Sequence, residues 1–578
     1  MLSRFVPFTS LGRKALPNQY DLLAFAFVVA AFITATRVSS GLTLPLEAPE
    51  STMVSLDYAL LPYYALRTTL RMFAAMAASL VFTFIYATFA AKSRRAELVL
   101  IPLLDVLQSV PILGFLSFTV TFFLGLFPGS IFGAECAAVF AIFTSQAWNM
   151  AFSFYQSLRN VPRDLNEVAR GFQLSGWQRF WQLDAPFAMP GLIWNMMMSM
   201  SGGWFFVVAA EAISVGDTTI KLPGIGSYLA LAIEQKRIDA VIAAIITMFI
   251  VILAYDQFLF RPLVAFGARF RVELSASQTQ EKSWVAQVFK RARWARALMR
   301  APTQFLQSVS LWRLELPARS LRDAPPNPRL SRIVDVLWAS FIGLIALWAS
   351  WLIVDYVRQE LSWSDLWQAV VFTLFTMARV VCMLILATLV WVPVGVWIGL
   401  RPAIAEKVQP LAQFLAAFPA NVIFPIAVIL ILRFSLNPNI WLSFLIVFGT
   451  QWYILFNVIA GASAFPNDLK EAVSNFRIRG WDWWKRVIIP AIFPFYVTGA
   501  LTASGGSWNA AIVAEYVHWG DNTVMAQGIG SYIAKATADG DFPKIVLGVA
   551  VMSIFVIFFN RLLWRPLFGL AQRRLRLD

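Results

Sequence analysis

Residues 202–228 read GGWFFVVAAEAISVGDTTIKLPGIGSY, and residues 506–532 read GSWNAAIVAEYVHWGDNTVMAQGIGSY. The two stretches share an Ala-Glu pair, a Gly-Asp pair and an identical GIGSY block in the same register. Outward from them, residues 162–263 align with residues 466–567 without a gap, at an offset of 304 positions. The earlier part of each half aligns at an offset of 308 positions, which pairs Arg71 with Arg379. The chain therefore contains an internal duplication, and its two copies are expected to share one fold.

The composition excludes most soluble classes of protein. Of the 578 residues, 59% are hydrophobic and 14% are charged, and the mean hydropathy is +0.66. A soluble protein carries about 25% charged residues, so this chain needs lipid as its solvent and is not a soluble enzyme, a disordered chain or a fibre. The net charge of +15 fits the Lys and Arg that gather in the cytoplasmic loops of membrane proteins. We therefore expect no nucleic-acid partner.

Few residues are available for redox or metal chemistry. The two cysteines, Cys136 and Cys382, stand in apolar stretches, and His518 is the single histidine of the chain. These residues do not make a disulfide framework, a zinc site or an iron–sulfur cluster. We expect no cofactor, no metal and no catalytic residue.

Charge-free apolar runs predict an all-α membrane protein. About 20 apolar residues cross a bilayer as a helix, and about twelve candidate runs are present, six in each half. They are residues 22–36, 72–91, 106–134, 136–158, 185–210, 240–255, 336–354, 380–406, 408–432, 434–467, 487–514 and 545–560. The run 22–36 follows three basic residues, so a cleaved signal peptide is the alternative to a retained span.

The distribution of Lys and Arg predicts the orientation. Basic residues cluster in the N-terminal segment 1–20, in the linker 263–332 and in the C-terminal segment 568–578, which predicts that all three are cytoplasmic. The two six-helix units are then residues 21–262 and 333–567, inserted the same way up and related by a pseudo-two-fold axis along the membrane normal. Within the linker, residues 284–312 alternate apolar and basic side chains. This pattern is typical either of an interfacial helix on anionic lipid or of a solvated tether.

Charged and aromatic residues inside the spans are candidates for the transport path, because an intramembrane charge is costly. They occur as equivalent pairs in the two halves: Arg71 and Arg379, Glu211 and Glu515, Trp204 and Trp508. In one interpretation the arginines attract an anion and the glutamates and tryptophans form a gate. In the other, the charges neutralise one another as ion pairs and the tryptophans pack. Asp105, which has Gln413 as its counterpart, is expected to belong to such a pair.

A polar segment recurs between the fourth and fifth spans of each half. It runs from Pro162 to Pro186 and from Pro466 to Pro490. The pattern predicts a short helix, a turn and a second helix that returns to the membrane at proline. Glycine adopts a positive φ readily, so Gly176 and Gly480 are candidates for the turn. The segment is too polar for lipid and is expected to dock a partner.

The sequence resembles the inner-membrane permeases of bacterial ABC importers over nearly all of both halves. The resemblance rests on these polar segments, which are similar to the family's "EAA" loop with Glu167 and Glu471 at its start. It also rests on residues 105–111, 449–457 and 505–515. The nearest group is that of the nitrate, sulfonate and bicarbonate importers, in particular duplicated permeases. The family's usual glycine falls on Gln173 and Arg477, and the next glycines along the chain, Gly176 and Gly480, are three residues later.

The resemblance implies partners and roles. Each segment would dock on one of two cytoplasmic ATPase subunits, with the glutamates anchoring the loop and with Gly176-Trp177 and Gly480-Trp481 shaping it. The chain has no Gly-x-x-x-x-Gly-Lys-Ser/Thr loop, so ATP hydrolysis would belong to the partner. A periplasmic or lipid-anchored solute-binding protein would deliver a small solute, by resemblance an anion, to this chain in the bacterial inner membrane. The chain would then form the path across the membrane.

Two other functions remain open on sequence grounds. A secondary transporter driven by an ion gradient also has about twelve spans, but it needs no cytoplasmic docking segment. A membrane-embedded enzyme would need polar residues clustered at one depth of the membrane, and the sequence shows no such cluster of His or acidic residues.

Overall fold

A computed structural model describes residues 54–109, 112–215, 218–267, 300–313, 328–463 and 467–574, together with a few single positions between these ranges. The first half contains α1 (Leu61–Lys92), α2 (Arg94–Ser109), α3 (Leu116–Leu126), α4 (Ile131–Arg159), α5 (Arg163–Gly171), α6 (Gly176–Arg179), α7 (Ala185–Glu211), β1 (Ala212–Val215), β2 (Thr218–Lys221), α8 (Ile225–Glu234), α9 (Ile238–Tyr255) and α10 (Arg261–Gly267). In the linker, α11 covers Arg300–Ser310.

The second half repeats this order of elements. It contains α12 (Pro328–Glu360), α13 (Trp363–Gly399), α14 (Pro402–Ala417), α15 (Phe424–Arg433), α16 (Pro438–Phe448), α17 (Gln451–Ser463), α18 (Asn467–Asn475), α19 (Gly480–Trp483), α20 (Ile489–Ala514), β3 (Tyr516–Trp519), β4 (Asn522–Met525), α21 (Ile529–Asp539), α22 (Phe542–Phe559) and α23 (Arg565–Arg574). Each strand pair is an antiparallel hairpin, β1 with β2 and β3 with β4. The predicted all-α class and internal duplication are thus confirmed.

Short π-helical segments also recur at equivalent positions. Phe180–Asp184 corresponds to Trp484–Ile488 before the fifth span, and Asp256–Phe260 corresponds to Asn560–Trp564 after the sixth. A π-helical turn inserts one extra residue and is often found at functional sites. Because both copies keep these turns, they belong to the fold and are not accidents of one half.

In the described part of the chain, seven helices are long and apolar enough to cross a bilayer, or eight if the bent pair α16 and α17 forms one span. The predicted runs 72–91, 136–158, 185–210, 240–255, 380–406, 487–514 and 545–560 coincide with these seven helices. The run 336–354 lies within α12, and the bent pair lies within the run 434–467. The run 22–36 lies outside the described residues.

The predicted runs 106–134 and 408–432 are not continuous helices. In the second half α14 ends at Ala417, and Phe418 and Pro419 are both extended before a 3₁₀ turn at Ala420–Val422. Proline has no backbone N–H and disfavours helix in the residue before it, which explains the break. The first half has a 3₁₀ turn, Ile112–Phe115, at the equivalent place.

The chain divides into two compact units. The described part of the linker unit comprises Val161–Ile193 and portions of Tyr255–Ser320, and the membrane unit comprises most of the remainder. The division follows contacts and not the repeat, so the predicted domain boundaries stay a prediction. The predicted first residue of the second unit, position 333, lies within α12, which begins at Pro328.

Within the membrane unit, small residues let helices approach closely. A Cβ on Gly203 would lie 2.8 Å from Nε2 of Gln146, and a Cβ on Gly506 would lie 2.7 Å from Cγ2 of Thr450. Helix association in lipid relies on such close packing. Large apolar side chains such as Ile85 and Leu389 remain exposed, as lipid-facing positions should.

Candidate functional site

A cluster of four buried charges lies inside the first half. This first charge cluster consists of Arg67 and Arg71 on α1, Glu135 on α4 and Glu211 at the end of α7. Arg71 donates from Nε and Nη2 to the two oxygens of Glu135 at 2.6 and 2.7 Å, and from Nη1 to Glu211 at 2.7 Å. Arg67 donates to Glu135 at 3.0 Å. Two arginines and two glutamates thus neutralise one another out of contact with solvent.

Glu211 also holds the beginning of α8. Its carboxylate accepts hydrogen bonds from the Thr68 hydroxyl at 2.6 Å and from the backbone N–H of Gly226 at 2.7 Å. A Cβ on Gly224 would lie 2.3 Å from this carboxylate, so glycine is needed for the close approach. Free N–H groups at a helix N-terminus favour a negative charge. The GIGSY block therefore forms a seat for a buried carboxylate.

The second half contains the same seat. Glu515 accepts hydrogen bonds from the Thr376 hydroxyl and from Nη1 of Arg379, both at 2.8 Å, and from the N–H of Gly530 at 2.9 Å. A Cβ on Gly528 would lie 2.2 Å from its carboxylate. The second charge cluster therefore reproduces the arrangement around Glu211 with one arginine and one glutamate.

The two clusters differ by one complete ion pair. Phe375 stands where the first half has Arg67, and Asn439 takes the place beside Arg379 that Glu135 takes beside Arg71. Asn439 accepts from Nη2 of Arg379 at 2.9 Å, so it keeps the hydrogen bond without the charge. The second cluster lacks one positive and one negative residue of the first, so the net charge of each cluster is zero.

These contacts place the predicted path residues. Arg71 with Glu211, and Arg379 with Glu515, form the ion pairs of the second interpretation. Trp204 and Trp508 are each 1% exposed and pack inside the membrane unit, so neither faces an open path in this conformation. Asp105 lies on α2, and its side chain is outside the described residues.

Sequence reasoning missed Arg67 and Glu135. Glu135 separates the predicted runs 106–134 and 136–158 and was not considered as a site residue, although it is buried on α4. A charge flanked on both sides by apolar residues was the available signal. In the described part of the chain, no group of three or more His, Cys, Asp or Glu side chains could hold a metal ion.

The two polar segments fold into the predicted helical hairpins. In the first, α5 ends with the N–H of Gln173 bonded to the carbonyl of Arg170 at 2.9 Å and the N–H of Leu174 bonded to that of Ala169 at 3.2 Å. This is the Schellman pattern, which needs a left-handed residue after the helix. The second hairpin repeats it, with Arg477 bonded to Ser474, and Ile478 to Val473, at 3.1 and 3.2 Å.

The left-handed residue is not the expected glycine in the first hairpin. Gln173 has a φ of 49° and Arg477 a φ of 51°, at the positions where the resembled family has its glycine. Gly480 has a φ of 61°, as expected for a turn residue. The expectation is wrong for Gly176, which begins α6 after the Ser175 cap and is not left-handed. The Schellman bonds fix the reversal three residues earlier.

Each hairpin presents a large apolar side chain at its tip. Phe172 is 76% exposed and the equivalent Phe476 is 80% exposed. Both directly precede the left-handed residue, and both stand in otherwise polar segments. Exposed aromatic side chains at repeated positions are typical of anchors for a protein partner. Neither residue was singled out from the sequence, although its recurrence was visible there.

Glu167 and Glu471 are exposed on the hairpins. Neither carboxylate makes a hydrogen bond or an ion pair with another described residue. Their expected role as anchors within the loop therefore has no support from these contacts, and both carboxylates are available to a partner.

The described part of the linker contacts the first hairpin. Nε1 of Trp177 donates to the carbonyl of Val309 at 2.7 Å, and Nε2 of Gln178 donates to that of Leu311 at 3.0 Å, so the end of α11 is bound to the first hairpin. Trp177 is half-buried, whereas the equivalent Trp481 is 73% exposed. The rest of the predicted interfacial segment, residues 284–299, lies almost entirely outside the described residues.

The turn between β3 and β4 contacts the end of α8 and so joins the two halves. Nζ of Lys236 lies 2.8 Å from Oδ2 of Asp521, and the N–H of Gly520 donates to the carbonyl of Ile233 at 3.0 Å. The hydrogen bond from Lys236 lowers the pKa of Asp521 below its ordinary value. Partial burial lowers the pKa of His518, which keeps its ring neutral at neutral pH.

Comparison with known proteins gives two matches to one family within the chain. The sequence pattern described as "binding-protein-dependent transport system inner membrane component" matches residues 79–260 and again residues 391–565. Together these two matches cover more than half of the chain. Each contains one polar hairpin and one buried Glu that is seated in a GIGSY block.

Individual relatives are more distant. The bicarbonate transport system permease protein CmpB of Synechocystis sp. is 28% identical over 190 residues, which are 33% of this chain and 64% of that protein. The nitrate import permease protein NrtB of Leptolyngbya laminosa is 25% identical over 187 residues, which are 32% of this chain and 63% of that protein. The chain thus spans just under two thirds of the length of these relatives.

Proposed function

The chain belongs to the family of binding-protein-dependent transport system inner membrane components, and from this membership we propose that it is the transmembrane subunit of an ATP-driven importer. The family pattern occurs twice, so one chain would supply both halves of the path. The excess of Lys and Arg in the termini and the linker favours a cytoplasmic position for all three.

The observation that carries the proposal is the pair of hairpins with the same backbone and the same exposed phenylalanine. Two ATPase subunits would each bind one hairpin, with Phe172 or Phe476 inserted into a pocket of the partner. Glu167 and Glu471, which are exposed, would contact the same partners. When the ATPases close on ATP, the hairpins would move with them, and the attached helices α7 and α20 would carry the motion into the membrane.

The proposed cargo is a small anion delivered by a solute-binding protein. Relatives named for bicarbonate and nitrate transport support this class. The arginines give it little independent support, because Arg71 and Arg379 are each neutralised by a glutamate. We assign the charge clusters a structural role, which is to hold the GIGSY helices against the second and fifth spans of each half.

Glutamate at both hairpin tips tests the proposed docking. The double variant Phe172→Glu and Phe476→Glu places a charge where an apolar pocket is expected, so the ATPase should no longer co-purify and ATP-dependent uptake should be lost. The matched control is Gln173→Gly with Arg477→Gly, which alters the neighbouring residues but keeps a left-handed backbone.

Membrane insertion of both proteins is checked by their yield and elution as folded monomers in detergent. Retained ATPase binding by the glutamate variant would contradict the docking proposal. Uptake by the unmodified chain without any ATPase, driven by an ion gradient, would contradict the importer proposal and favour a secondary transporter.

A further inference from the structure

Two asparagines bridge the halves within the membrane unit. Nδ2 of Asn421 donates to the backbone carbonyl of Phe205 at 3.0 Å. The backbone N–H of Ile112 donates to Oδ1 of Asn509 at 2.7 Å. At both crossings, the 3₁₀ turn that interrupts the third span of one half meets the fifth span of the other. The crossings are therefore equivalent under the internal repeat.

The repeat shows that the fold does not require an amide at either place. The position equivalent to Asn421 in the first half is Leu113, and the position equivalent to Asn509 is Phe205. An apolar residue can therefore occupy each site in the same architecture. A polar side chain between packed membrane helices is costly and is usually kept for function. Each crossing has one asparagine. In the first crossing it lies in the 3₁₀ turn, and in the second it lies on the fifth span.

The bridges are hydrogen-bonded incompletely. Asn421 is 8% exposed, and its Oδ1 is buried without a hydrogen-bond partner among the described residues. Nδ2 of Asn509 reaches only the carbonyl of Gly505 on its own helix, at 3.3 Å. Separation of the halves would expose both amides to water or to a passing solute.

We propose that these two asparagine bridges are the closed gate of the transport path and that the freed amides contact the solute when the gate opens. The inference rests on the proposed importer function. Amide N–H groups can donate to the oxygens of a small oxyanion without binding it as an ion pair. Hydrogen bonds from a neutral amide of this kind are weaker than ion pairs, so the solute can leave them again. They also do not require Arg71 or Arg379 to leave their glutamate partners.

The test exchanges each asparagine for the residue of the other half. Asn421→Leu and Asn509→Phe, singly and together, are reconstituted in lipid nanodiscs with the ATPase that co-purifies with the chain. ATP hydrolysis is measured without solute-binding protein. Loss of one bridge removes one ordinary hydrogen bond from the closed state, so receptor-independent hydrolysis should rise about tenfold for each bridge.

Asp521→Asn is the matched control, because it weakens an exposed contact between the halves. Its hydrolysis should remain dependent on the receptor, since exposed ion pairs contribute little. If Asn509→Phe does not fold, Asn509→Leu, which is closer in size, repeats the measurement. Hydrolysis in the asparagine variants that stays as receptor-dependent as in the unmodified protein would overturn the gate. Absence of ATP-dependent uptake in the unmodified protein would instead overturn the importer function itself.

Discussion

Replacing Glu135 by asparagine, the residue found at the equivalent position of the second half, should destabilise the protein strongly. Glu135 accepts two hydrogen bonds from Arg71 and one from Arg67. Without it, two buried arginines share the single carboxylate of Glu211. Removing one partner of a buried ion pair costs about 3–5 kcal/mol. For a unit about the size of one half this corresponds to a fall in the unfolding midpoint of roughly 6–20 °C.

Adding Arg67→Phe to Glu135→Asn should recover much of this loss. The double variant gives the first charge cluster the composition of the second, with one arginine and one glutamate. The expected coupling between the two substitutions is about 2 kcal/mol, within the range found for residues in one buried network. Arg67→Phe alone should be intermediate, because Glu135 keeps both hydrogen bonds from Arg71.

The assay is thermal unfolding in detergent, followed by intrinsic fluorescence of the 23 tryptophans at one fixed scan rate, because membrane proteins often unfold irreversibly. The four proteins of the cycle are compared under the same conditions. A double variant as unstable as Glu135→Asn would refute the idea that neutrality governs these clusters. The asparagine of the second half would then have to be explained by local packing.

Three further changes have defined outcomes. Gly528→Ala should lower the unfolding midpoint by several degrees, because its Cβ would lie 2.2 Å from the Glu515 carboxylate. An unchanged midpoint would contradict the close approach of this carboxylate to the GIGSY block. Gln173→Gly should stabilise the protein by up to about 1 kcal/mol, since a left-handed φ is strained for glutamine, and the same melts would show it. Trp177→Ala should make the linker more sensitive to limited proteolysis by releasing α11, whereas Trp481→Ala should not, and equal sensitivity in both would refute the specific contact.

The sequence predicts the helical framework well where composition alone decides it. Runs such as 136–158 and 487–514 are apolar enough that only a spanning helix can satisfy their backbone in lipid. The duplication is also visible, because 102 residues from position 162 align without a gap. The breaks in the third span of each half were less evident, since apolar residues continue through the proline and the 3₁₀ turn.

The candidate site was predicted in part. Recurrence of Arg71, Arg379, Glu211 and Glu515 identified the charged positions, but the partner of each depends on contacts between residues more than 130 positions apart. Side-chain pairing of this kind cannot be read from local pattern. The left-handed Gln173 illustrates a second limit, because the Schellman bonds of α5 overrode the intrinsic preference for glycine.

The contact between α11 and the first hairpin makes the surfaces of the two hairpins chemically distinct within the described part of the chain. A permease assembled from two identical chains must offer both motor subunits the same face, whereas a fused chain is free of that constraint. In the described part of the chain, the end of α11, which precedes the exposed Trp312, is bound to the first hairpin, whereas Trp481 of the second hairpin is exposed. Under the proposed docking, the two ATPase subunits would therefore meet different surfaces, and a substitution in this chain could affect one of them without the other.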